Sequence, residues 1–118
     1  MAKLSKAQQE VMDHAKEAID FSRTHDFYDW YRRSAVLKVK EMTDEEIDSY
    51  LEDRKKRGYV GTKEYEMERY QWNRDGIDFL CHASSLTIRK LEKLGLIEII
   101  EDSKGEYYGL DKIKVLNY

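Results

Sequence analysis

Apolar residues recur every three or four positions through the opening of the chain. Ala7, Val11, Ala15, Ala18 and Ile19 fall on one face of a helix, and Ser5 with Gln8 forms a capping box at its start. The pattern predicts a long helix to about Thr24, with small alanines that let another helix approach closely. Over residues 26–42 the period breaks. Phe27, Tyr28, Trp30 and Tyr31 crowd together ahead of Arg32 and Arg33, and Val36, Leu37 and Val39 alternate imperfectly. A short helix with an irregular connection is expected there. Thr43 and Glu46 make a second capping box. Behind it Ile47, Tyr50 and Leu51 give an apolar stripe, acids open the helix, Arg54-Lys55-Lys56-Arg57 close it, and Gly58 stops it. Thr62 caps a third helix over 63–73. Its Tyr65–Met67 and Tyr70–Trp72 steps are strand-like, but Glu64, Glu66, Glu68 and Arg69 favour helix. Asp75-Gly76 is a turn.

From Ile77 the pattern changes. Ile77, Phe79 and Cys81 alternate with Asp78, Leu80 and His82, which suits a short strand. Ser84 or Ser85 caps a helix over 86–94. Leu86, Ile88, Leu91 and Leu94 are expected on its apolar side, and Thr87, Arg89, Lys90 and Lys93 on its exposed side. Gly95 ends it. Residues 98–101 and 106–108, joined by Asp102-Ser103-Lys104-Gly105, read as a hairpin, and 113–116 as a last strand that continues the sheet. The expected fold class is α+β: a single domain over 1–118, with a mainly helical part at 1–76 and a helix-plus-hairpin unit at 77–118.

Composition narrows the function classes. A chain of 118 residues fits one domain, and 41% hydrophobic with 38% charged residues supports one modest core under a well-solvated surface. Lys plus Arg is 21 and Asp plus Glu is 24, net −3, which excludes a polycationic tail but leaves room for a local basic face. One cysteine excludes a disulfide framework and thiolate-rich zinc modules. No apolar run approaches the roughly 18 residues of a membrane span. The opening Met1-Ala2-Lys3-Leu4-Ser5-Lys6 leads into a polar helix rather than a signal core. A cytoplasmic address, without membrane association, is expected. Cys81 and His82 are neighbours in an extended segment and point to opposite faces, a poor nucleophile–base pair. His14 and His25 stand about three helical turns apart, too far to share a metal. Neither a Gly-rich phosphate loop nor zinc-ligand spacing is present. No catalytic residue, metal or cofactor is expected, and the chain is read as not an enzyme.

The run Ser84-Ser85-Leu86-Thr87-Ile88-Arg89-Lys90-Leu91-Glu92-Lys93-Leu94-Gly95-Leu96-Ile97 resembles the recognition helix and exit of winged helix-turn-helix proteins. The shared pattern is a capping hydroxyl, a basic and polar exposed face, a leucine–glycine–leucine–isoleucine exit, and a hairpin wing. The likeness covers residues 82–108 and, weakly, the first helix; some 50 residues intervene where the family usually has far fewer. The opening Lys3-Leu4-Ser5-Lys6-Ala7-Gln8-Gln9-Glu10-Val11 is similar to the start of many small bacteriophage proteins. The resemblance implies a regulatory, phage-derived protein whose partner is double-stranded DNA. Arg89 and Thr87 would face bases, Lys90, Lys93 and the wing-tip Lys104 would meet phosphates, and Ser84 and Ser85 would sit at the phosphate-binding helix head. A homodimer is the further expectation, since paired half-sites need a two-fold protein.

Other readings compete. Three basic residues on a helix are ordinarily a solvated face, and Glu92 sits among them. Arg54, Lys55, Lys56 and Arg57 are candidate phosphate contacts, but the helix dipole explains them unaided. Phe27, Tyr28, Trp30 and Tyr31 suit stacking or a protein hot spot, yet more naturally fill the core around a thin first helix. The main rival is a phage-encoded inhibitor that binds a host protein, as anti-CRISPR proteins do. In that reading Asp44, Glu45, Glu46, Asp48, Glu52 and Asp53 would mimic DNA phosphates.

Overall fold

Ser5 Oγ accepts from the Gln8 amide at 3.2 Å, and the Gln8 side chain accepts from the Ser5 amide at 2.9 Å. This reciprocal pair starts helix α1, Lys6–Thr24. The computed structural model describes residues 3–35, 37–59, 61–81, 83–101 and 111–118, with backbone alone for Leu37, Leu80, Cys81, Ser85 and Asp111. Asp26 caps α2, Phe27–Ser34, and the short α3, Leu37–Lys40, follows. The Thr43–Glu46 capping box opens α4, Asp44–Lys56, and Thr62 caps α5, Lys63–Arg74. The helical choice over 63–73 therefore holds. Strand β1, Ile77–Cys81, leads to α6, Ser85–Lys93, then β2, Ile97–Glu101, and β3, Asp111–Val115. The fold is α+β.

The three described strands form one antiparallel sheet in the order β1-β3-β2. Ile97 lies opposite Val115 and Ile99 opposite Ile113, while Ile77 lies opposite Lys114 from the other side. Strand β2 thus pairs with the last strand, 111–115, which the sequence pattern casts only as a continuation of the sheet. The expected partner at 106–108, and the expected turn at 102–105, lie outside the described residues. Three residues separate β1 from α6, so the element before α6 is a strand; the preceding helix is α5. The described elements from β1 onward run strand, helix, strand, strand, and among the described residues no helix is joined to α6 by a short turn.

Two apolar clusters hold these elements. The first is aliphatic: Val11, Met12, Ala15 and Ile19 of α1 meet Ile88 and Leu91 of α6 and Ile97, Ile113 and Val115 of the sheet. The second is aromatic: Phe27, Trp30 and Tyr31 pack with Val39, Ile47 and Leu51, and Tyr70 and Phe79 close on them. The aromatic run 27–31 is mainly core, as its crowding suggests. Two of its polar tips have partners. Trp30 Nε1 donates to Asn73 Oδ1 at 3.1 Å, and Tyr28 Oη donates to Asp48 at 2.8 Å. Burial, reinforced by the Glu66 carboxylate, raises the Tyr31 phenol above its usual range.

Candidate nucleic-acid interface

Helix α6 starts at Ser84, whose Oγ accepts from the Thr87 amide at 3.2 Å and lies 2.9 Å from Thr87 Oγ1. It ends in a Schellman motif. Gly95 donates to Glu92 at 2.9 Å, Leu96 donates to Leu91 at 3.2 Å, and Gly95 takes φ +76°, where a side chain would be strained. Between these stops, Ile88 and Leu91 are fully buried against α1 and the sheet. They fix the rotation of the helix about its axis, and everything else about its surface follows.

Two residues of helix turn the chain by about 200°. Leu86, two before Ile88, is therefore thrown to the outside and is 64% exposed. Lys93, seven residues on, lies on the same outermost line, and Arg89 and Lys90 flank it; all three cations are exposed. The outer ridge is thus Leu86, Arg89, Lys90 and Lys93. Thr87 does not belong to it. Half-buried, it turns toward α1, where it lines a cavity of about 460 Å³ with Ala7, Glu10, Val11, His14, Ala83 and Ser84. The expectation that Leu86 packs inward and Thr87 faces outward is reversed, because the core direction is set by Ile88 and Leu91. Leu94, also expected inside, is 49% exposed. The helical-wheel position of Leu86 was the available signal.

Glu92 has a particular place. Its Oε2 accepts from the Ile99 amide at 2.9 Å. Among the described strands β2 is an outer one, and this amide lies on its side away from β3. The carboxylate that stands among the lysines in sequence is drawn sideways onto the sheet. Lys90 and Lys93 have no ion pair among the described residues. Of the remaining expected contacts, Ser84 already serves the helix as its cap. Ser85 is the first residue of α6 with its side chain outside the description, and Lys104 lies in the undescribed 102–110 segment.

The basic run at the end of α4 is different. Arg54 is half-buried; its Nη1 donates to Tyr50 Oη at 3.0 Å, and its guanidinium lies over the Tyr50 ring. Lys55 donates to Glu64 at 3.0 Å, a bond that raises the Lys55 pKa; Glu64 is lowered by its own backbone amide and by Lys55. Arg57 pairs with Asp53 at 3.2 Å. Lys56 is exposed. Arg32 pairs with Asp29 and Asp44, and Arg33 pairs with Glu17 over the Phe21 ring. Four of the six acids proposed as phosphate mimics are similarly engaged: Asp44 with Arg32, Glu46 in its capping box, Asp48 with Lys63 at 2.6 Å, and Asp53 with Arg57; Glu45 and Glu52 are exposed.

Among the described residues, no three His, Cys, Asp or Glu side chains are grouped to hold a metal, and no helix is long and apolar enough to cross a membrane. Comparison of the chain with protein-family models, curated proteins and solved structures finds no match.

Proposed function

We propose that the protein binds duplex DNA in a winged-helix-like manner through the outer ridge of α6, as a regulatory protein acting in the cytoplasm. One observation carries this reading: Lys90 and Lys93 are exposed with no ion pair among the described residues, beside the exposed Arg89 on the helix face opposite the fully buried one, while Glu92 is turned onto β2. The major groove is about 12 Å wide and admits a single helix. Arg89 supplies a fork for guanine, and Lys90 and Lys93 supply point charges for phosphates. Lys104, between β2 and β3, is the proposed wing contact. Thr87 has no base-reading role in this arrangement. The test is a titration of binding to random-sequence duplex between about 50 and 200 mM salt. The expected result is a steep loss of affinity, with a slope near −0.9 for each phosphate neutralised. Arg89→Ala should cost about 1–3 kcal/mol at one base pair, whereas Lys93→Ala should weaken all sequences alike. A flat salt response discards the proposal. Paired half-sites would require a homodimer, which light scattering reads directly.

A second reading is favoured by the apolar exposure of Leu86, Leu94 and Ile100 near the same helix. There the protein is a phage-derived inhibitor and the ridge docks on a host protein. Recovery of one stoichiometric partner from nuclease-treated lysate, together with a flat salt response on DNA, would select it.

A further inference from the structure

Among the described residues Leu86 joins neither apolar cluster. It is the second residue of α6 and the most exposed of the large apolar side chains described, and it lies on the same ridge as three cations. We infer that Leu86 is a specificity residue that reads the C5-methyl group of a thymine in the major groove. The inference rests on the DNA-binding reading above. Its chemistry is selective. The cations call for a polyanion, and a leucine beside them calls for an apolar feature on that same polyanion. Among the base edges of the major groove, the thymine methyl supplies that apolar contact. The position agrees: groove-binding helices present their N-terminal residues to the base edges, and Leu86 stands in the first turn. Lys93 lies seven residues on, about 10 Å along the axis, close to three base steps. The leucine thus meets a base near the helix head while the lysine reaches the backbone farther along. The preferred site therefore contains at least one thymine, placed on the side of the Arg89 contact nearer the head of α6.

The test removes one methyl group from the DNA and one side chain from the protein. A binding sequence is first selected from a random duplex pool containing thymine. It is then remade with uracil in place of every thymine, and both duplexes are titrated against the full chain. The wild type should bind the uracil duplex about fourfold more weakly, the effect of one apolar carbon. Leu86→Ala should bind the two duplexes alike, and Leu86→Met should keep the difference; circular dichroism checks that both variants remain folded. A selected site without thymine, equal wild-type binding to both duplexes, or discrimination retained in Leu86→Ala overturns the inference while leaving DNA binding intact. Absence of any duplex binding overturns both.

Discussion

Helices α4 and α6 end in the same way and differ in what their charges do. Each carries lysines or arginines in its last turn, and each stops at a glycine of positive φ inside a Schellman motif. The α4 end holds the denser run, four cations in succession. Tyr50, Glu64 and Asp53 take up Arg54, Lys55 and Arg57. The α6 ridge holds fewer cations, but Glu92, the acid among them in sequence, is held by a backbone amide of β2. Density of like charge along a chain therefore does not measure the field that a partner meets. What matters is whether a neighbouring element brings acids within reach. Helix α5 does so for α4 through Glu64, and the sheet diverts Glu92, the acid that stands between Lys90 and Lys93 in sequence.

The largest test of this contrast removes the seat of each helix. Leu91 under α6 and Leu51 under α4 are both fully buried, so either change to alanine should cost about 2–5 kcal/mol in urea unfolding. Only Leu91→Ala should also reduce duplex binding per folded molecule; equal losses would erase the contrast. Next, Lys90→Ala with Lys93→Ala should flatten the salt dependence of binding by about 2 in slope, whereas Lys55→Ala with Lys56→Ala should leave it unchanged. A smaller effect is expected at Glu92. Glu92→Ala leaves the Ile99 amide without its carboxylate and should cost about 1 kcal/mol or less. Glu92→Gln keeps an acceptor there and removes a negative charge, so it should bind duplex more tightly at low salt. The smallest concerns pH. The hydrogen bond from Lys63, and then that from Tyr28, hold the Asp48 carboxyl below its ordinary range. Its contribution to stability is then present above the unfolded value near pH 4 and fades as pH falls through the lower folded value. Asp48→Asn should remove that part of the acid sensitivity, seen as a shallower stability profile below about pH 4.

Local chemistry was the most legible part of the chain. The Ser5–Gln8 and Thr43–Glu46 boxes and the glycine stops involve residues a few positions apart, so neighbours alone decide them. The pairing of β2 with the last strand was not anticipated, although the alternation of that strand was visible. Ile113 and Val115 turn inward while Lys114 turns out, a cleaner period of two than Glu106-Tyr107-Tyr108 offers. A tight turn after 101 favoured the nearer segment. The candidate site was half legible. Arg89, Lys90 and Lys93 lie where helical spacing puts them, but the exchange of Leu86 and Thr87 required the core direction, and grouping every leucine as apolar obscured it. The diversion of Glu92 depends on an amide seven residues away across a turn. The bond from Trp30 to Asn73 spans 43 positions and had no local trace.

The sheet order β1-β3-β2 places the strand made last of the three between the two made earlier. During synthesis β1 and β2 both wait for β3, the neighbour each of them pairs with, until residues 111–115 leave the ribosome. Pairing then closes a separation of thirty residues or more on the β1 side. The underside of α6 gains Ile113 and Val115 only when this central strand arrives.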